Sequence, residues 1–178
     1  MVFRITPHFR IDTPLLQFRL TLNYQSPKVL TDYSVGQCEL KLPASLRFDD
    51  PRQQGWVNKA VGYLLQWQAQ HLMVPMIERL AERGQLSYNR ITFKNIRSRW
   101  GSCSTKRNLN FSVWLMAADP ALIEYVVAHE LAHLSQMNHS PLFWAEVDRL
   151  LGQPGLAKQR DKQLTAWQKE LVARGWMG

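Results

Sequence analysis

Two histidines four residues apart, with a glutamate directly after the first, make His129-Glu130-Leu131-Ala132-His133 an HExxH pattern. On a helix, four residues at about 100° each turn through about 400°, so the two imidazoles stack on one face within reach of a single ion. Glu130 lies about 100° round from His129, where its carboxylate approaches water at that ion without ligating the ion itself. With five His in 178 residues, roughly 0.005 accidental matches are expected, too few to explain the pattern by chance. Two imidazoles and a carboxylate side by side in an otherwise apolar helix cost several kcal/mol unless something pairs with them, and a divalent cation is the economical partner. A catalytic zinc also takes a third protein ligand and keeps one position open. His139 is the candidate. On a continuing helix it would fall about 600° on, at the far side, so the helix must end first. Asn138 is suited to the left-handed conformation that ends helices, and Pro141 bars continuation in the same register. Glu146 is the alternative third ligand. The chemistry expected is attack by metal-activated water, with Glu130 as general base, on a carbonyl or phosphoryl group. No Ser-His-Asp set, Walker-type loop or GxGxxG run competes with it.

The elements that must hold these residues are legible in outline. Phe18 to Leu22 and Cys38 to Leu42 alternate like strands, broken by Ser26-Pro27 and ended by Pro43, which predicts a small N-terminal antiparallel sheet within residues 1–50. From Pro51 the period becomes helical up to Gly84, and Pro75 is expected to kink or split that helix. Ile91 to Ile96 and Leu109 to Leu115 read as a β-hairpin with a long basic connection, Arg97 to Asn108. Asp119-Pro120 opens a helix expected to run to about residue 137, apolar nearly all round and therefore buried. Ser140-Pro141 opens the next, and a last amphipathic helix reaches about Ala173. This divides the chain into a β-rich subdomain, 1–50, and a metal-binding catalytic core, 51–178.

Composition narrows the classes. Seven Trp and seven Phe among 46% hydrophobic residues fill a core without a metal, so a metal in this chain serves chemistry. The two cysteines, Cys38 and Cys103, lack CxxC spacing and read as reduced thiols. Charges interrupt the first twenty residues, so no signal peptide is expected, and Ala60 to Ile77 is too rich in Gln for a membrane span. A cytoplasmic protein with no membrane association is the expectation. The net charge of +8 is unevenly placed: residues 83–118 carry a local +7 with no acid, and residues 119–151 a local −4. The basic run is either a solvated face or the anion-facing wall of a site, with Arg97, Arg99, Lys106 and Arg107 as the candidate anion-binding residues.

Arg97-Ser98-Arg99-Trp100-Gly101-Ser102-Cys103-Ser104, Leu109-Asn110-Phe111-Ser112, Tyr125 to His133, Asn138-His139-Ser140 and Phe143-Trp144 together resemble the YgjP-like metallopeptidase family. The likeness is dense from about 90 to 145 and loose over the first fifty residues. It implies a zincin-like α+β fold, zinc (or another divalent metal) on His129, His133 and His139, Glu130 as catalytic base, and the basic connection flanking the metal. Arg97 and Arg99 are alternatively charges that support the fold, with Trp100 in the core.

Two functions follow. One is a metallopeptidase-like hydrolase in which the strand at Leu109 to Val113 offers an edge to an extended peptide and Arg97 or Arg99 steadies the oxyanion. The other is a nucleoside triphosphate (UTP-type) pyrophosphohydrolase that uses the same metal site and the basic residues as a phosphate-binding wall, an activity also attached to members of the resembled family. Nucleic-acid docking, as in SprT-like relatives, is the weakest reading, because no recognised nucleic-acid module is present. The substrate expected is therefore a peptide or a nucleotide.

Overall fold

In the N-terminal third, two strands whose alternate residues are apolar find each other. The computed structural model describes residues 4–173 and residue 175; the ends of the two expected regions, 1–3, 174 and 176–178, lie outside the described residues. Strands β1 (Arg10–Asp12), β2 (Gln17–Asn23), β3 (Leu30–Ser34) and β4 (Gln37–Pro43) form one sheet in the order β1-β2-β4-β3. The outer pairs are antiparallel, but β2 and β4 run parallel, so the sheet is mixed rather than antiparallel throughout. The register gives the reason: Phe18 pairs with Cys38, Leu20 with Leu40 and Leu22 with Leu42, which aligns the inward faces of the two amphipathic strands. All five residues of β3 are exposed, so it has no face to bury and takes the edge.

Helix α1 (Pro51–Gly84) starts at Asp50, whose carboxylate accepts from the Arg52 and Gln53 amides at 2.8 and 3.0 Å, with Pro51 in the first turn. It ends where Gln85 adopts φ 51°. Pro75 does not split it: Met73, Ile77 and Leu80, all fully buried, hold both sides of the proline to the core. Two buried glutamines tie the N-terminal sheet to this helix. Gln54 bonds both the amide and the carbonyl of Ile5, and Gln68 bonds Gly36, Ser34 and Gln37 around the β3–β4 turn.

Strands β5 (Arg90–Lys94), β6 (Gly101–Cys103) and β7 (Asn108–Ser112) form a second sheet in the order β5-β7-β6. The hairpin is β6–β7, closed by the 104–107 turn with Arg107 at φ 59°, whereas β5 joins β7 in parallel from the other side. The expected pairing of 91–96 with 109–115 as a hairpin is thereby corrected, because the polar connection holds a strand of its own. Consequently β7 is central and offers no free edge; the edge strands are β5 and β6. Beyond Ser112, whose hydroxyl caps the Trp114 amide, the chain turns into a 3-10 helix over Val113–Ala117.

Three helices complete the α+β fold: α2 (Pro120–Ala132), α3 (Pro141–Leu151) and α4 (Leu156–Ala173). Asp119 and Ser140 cap α2 and α3, and Asp148 of α3 receives the Gly155 and Ala157 amides that lead into α4. Helix α2 is buried almost all round, inside one hydrophobic cluster that draws on both sheets and all four helices. No helix among the described residues is long and apolar enough to cross a membrane.

Candidate metal centre

Helix α2 carries His129 and Glu130, and His133 is its C-cap. The helix stops at Ala132, not near 137. Asn138 takes no part by left-handed geometry, since Gln85 and Arg107 are the non-glycine residues with positive φ among those described. Instead the last turn tightens: the Leu134, Ser135 and Gln136 amides donate back to Leu131 and Ala132. The chain then doubles back and brings His139 to the other two. His129 Nε2 and His139 Nε2 are 3.1 Å apart, and one ligand atom from each of the three histidines lies within 4.8 Å of the others. Two nitrogen ligands at about 2.0–2.1 Å from one tetrahedral ion stand roughly 3.3 Å apart, close to the spacing of the His129–His139 pair, and with the third imidazole inside the 4.8 Å bound the cluster could hold a divalent metal.

Phe143 is the shared floor. Its ring, completely buried, lies 4.9, 4.6 and 4.5 Å from the imidazoles of His129, His133 and His139. It belongs to the first turn of α3, so the cap at Ser140 that starts α3 also sets the floor. Sequence reasoning assigned Phe143 no part in the site; its position three residues after the Ser140 cap was the available signal.

Proton placement favours ligation. His133 Nδ1 lies 3.1 Å from the Gln136 carbonyl, which only accepts, so the proton is on Nδ1 and the Nε2 lone pair is free. Burial, reinforced by the two neighbouring imidazoles, lowers the pKa of His129 to about 3, and burial also lowers that of His133. Both rings are neutral at pH 7, the form that binds metal. The remaining nitrogen of His129, Nδ1, is 3.3 Å from the Tyr125 hydroxyl, which in turn donates to Asp161 on α4.

Glu130 is 7% exposed, and burial raises its pKa to about 7 against the opposing pull of Arg99. Among the described residues no donor is hydrogen-bonded to its carboxylate. It lies flat on Gly101 of β6: a Cβ there would come within 2.6 Å of Glu130 Cγ and Oε1. Gly101 is thus a second residue that sequence reasoning assigned no role, because its requirement is a close approach from a distant helix. A cleft of about 290 Å³ opens here, lined by Arg99, Gly101, His129 and Glu130 and walled by α4. Trp100 is buried beside it, stacked on Trp167 at 4.7 Å with its Nε1 donating to Gln168.

The four basic candidates are not gathered together. Arg97 is half-buried, donates to Asn58 Oδ1 of α1 at 3.0 Å and sits over the Trp114 ring. Arg107 donates to the Ser87 carbonyl and hydroxyl, and Lys106 is exposed in the same β6–β7 turn. Arg99 alone of the four lines the Glu130 cleft. Glu146, the alternative third ligand, is held by both nitrogens of the Arg149 fork at 2.7 and 2.8 Å.

Two solved structures are similar in backbone. One is the metallopeptidase zymogen of Pyrococcus abyssi abylysin, 20% identical, with a TM-score of 0.47 over 53% of this chain and 92% of that one. The other is the metallopeptidase zymogen of Methanocaldococcus jannaschii jannalysin, 17% identical, with a TM-score of 0.45 over 53% and 94%. Neither likeness is close enough to carry a functional inference. No curated protein matches the sequence. A family model does, across residues 24–166, a span that takes in β3 to most of α4 and every residue of the histidine cluster. The chain belongs to the family of YgjP-like metallopeptidase domains.

Proposed function

We propose that this chain is a zinc-dependent peptidase in which His129, His133 and His139 hold the metal and Glu130 is the general base. The observation that carries the reading is the convergence of three imidazoles, two of them kept neutral by burial, beside a buried carboxylate with no hydrogen bond of its own among the described residues. Three nitrogen ligands with an open fourth position are the donor set of catalytic zinc. The metal, when bound, supplies Lewis acidity that activates water and polarises the attacked carbonyl. Glu130 takes the proton from the attacking water and passes it to the leaving amine. Arg99, exposed and lining the same cleft, would steady the developing oxyanion. An extended peptide pairs with the edge strand β6, whose Gly101 touches Glu130. Two free thiols, Cys38 and Cys103, suit the reducing cytoplasm.

Nucleoside triphosphate pyrophosphohydrolysis on the same metal is the second reading, and the dispersal of Arg97 and Arg107 to other partners weighs against it. Zinc-loaded protein incubated with casein and, separately, with each nucleoside triphosphate separates the two. Peptide cleavage is expected, and pyrophosphate release without proteolysis would overturn the peptidase reading. In either assay Glu130→Gln is expected to lower the rate by about 10²–10⁴-fold with the metal retained. A fully active Glu130→Gln protein would remove the glutamate from the mechanism.

A further inference from the structure

Of the three imidazoles, His133 is oriented by a carbonyl of its own turn, whereas His129 is oriented from 32 residues away. We propose that Tyr125 and Asp161 are positioning residues for His129, forming a two-bond relay from α4 that fixes the ring with its proton on Nδ1 and its Nε2 lone pair turned toward His139. The inference rests on the reading of the three histidines as metal ligands.

The chemistry of the groups dictates the order of the protons. Tyr125 gives its single hydroxyl proton to Asp161 Oδ1, at 2.9 Å. The phenol oxygen then has only lone pairs left for His129 Nδ1, at 3.3 Å, and that nitrogen must be the donor. The other nitrogen, Nε2, is left bare and stands 3.1 Å from His139 Nε2. A carboxylate behind a ligating histidine commonly fixes its tautomer and raises its basicity. Here the phenol is interposed, because Tyr125 lies one helical turn before His129 on α2 and α4 packs across that turn. Tyr125 is 1% exposed, and these two protein groups are the partners of its hydroxyl.

A merely structural role, in which Asp161 only satisfies a buried hydroxyl, predicts lost stability without a change at His129. The relay predicts more. Replacing the carboxylate by an amide lets the amide donate to the phenol oxygen, which frees the phenol proton to bond Nδ1 and shifts the imidazole proton to Nε2, where it blocks ligation.

The test uses full-length wild type, Tyr125→Phe, Asp161→Asn and, as a control that loosens α4 elsewhere, Gln168→Ala. Two quantities are read: the His129 tautomer in metal-free protein, from long-range proton–nitrogen NMR of the imidazoles, and the zinc Kd by competition with a chromophoric chelator. In wild type and Gln168→Ala, His129 is expected as the pure Nδ1–H form with equal Kd. In Tyr125→Phe and Asp161→Asn a mixture of tautomers is expected, with Kd raised about 10–100-fold. Unchanged tautomer and unchanged Kd in both variants would overturn the relay. If Tyr125→Phe fails to fold, Asp161→Asn, at a partly exposed position, decides alone. A wild type that binds no zinc would instead sink the metal-ligand reading, and the tautomer measurement would still judge the relay.

Discussion

Glu130 sits between two opposed influences, burial that favours its protonated form and the Arg99 guanidinium that favours the charged one. Removing the cation leaves burial unopposed. In Arg99→Met the acid limb of the pH profile of kcat/KM is therefore expected to move to higher pH, so activity near neutrality falls while activity at alkaline pH is better preserved. An unmoved limb would show that Arg99 does not act on this carboxylate. The same burial has a cost in the metal-free protein. A carboxyl whose pKa rises from 4.5 to about 7 on folding favours the folded state below pH 4.5, and that advantage is lost as pH rises toward 7. Glu130→Gln never ionises. The metal-free variant is thus expected to match wild type below pH 4.5 and to melt higher by roughly 5–10 °C at and above pH 7. A difference independent of pH would contradict the buried-carboxyl account.

At the scale of elements, the site is a meeting of β6, α2 and the first turn of α3. Strand β6 contributes an absence: only hydrogen at Gly101 lets Glu130 lie where it does. Gly101→Ala is expected to displace the carboxylate and lower hydrolysis by about 10²-fold or more, with metal content unchanged because the three atoms such a Cβ would meet most closely all belong to Glu130. Normal turnover by this variant would place the base elsewhere. Helix α3 contributes the floor. Phe143→Ala is expected to cost about 3–5 kcal/mol of stability and to weaken metal binding, since the common surface under the three imidazoles is lost. Denaturant unfolding and chelator competition read the two effects separately. The elements themselves were legible to different depths. Asp119 and Ser140 announced α2 and α3 because a cap and a proline act within one turn. Strand pairing was not legible, because the match of Phe18 to Cys38 or of Ile91 to Leu109 is a choice between distant partners of similar amphipathicity.

For the whole molecule, one hydrophobic cluster joins both sheets and all four helices, and it includes residues as far apart as Ile5 and Leu171. A core of this extent folds without a metal. Stripping the protein with a chelator is expected to abolish activity while leaving helical circular dichroism and a cooperative melt, with zinc restoring the rate. The melting temperature then rises with zinc concentration, as it does for any ligand that binds only the folded state. Activity that survives exhaustive chelation would end the metal mechanism, and loss of the fold would make the metal structural.

The sequence alone determined what depends on local period and local caps. The HExxH spacing puts His129 and His133 on one helix face, and the stop before Pro141 lets His139 return, so the three ligand candidates were readable as residues. Tertiary structure decided everything that rests on approach between distant segments. It put Gly101 under Glu130, sent Arg97 to Asn58 and Arg107 to Ser87, turned Gln54 and Gln68 inward to hold the N-terminal sheet, and set Asp161 behind Tyr125. An arginine or glutamine carries no mark in the sequence of which partner it meets. That choice belongs to packing, where each polar group that leaves water must find a partner among whatever the fold brings beside it.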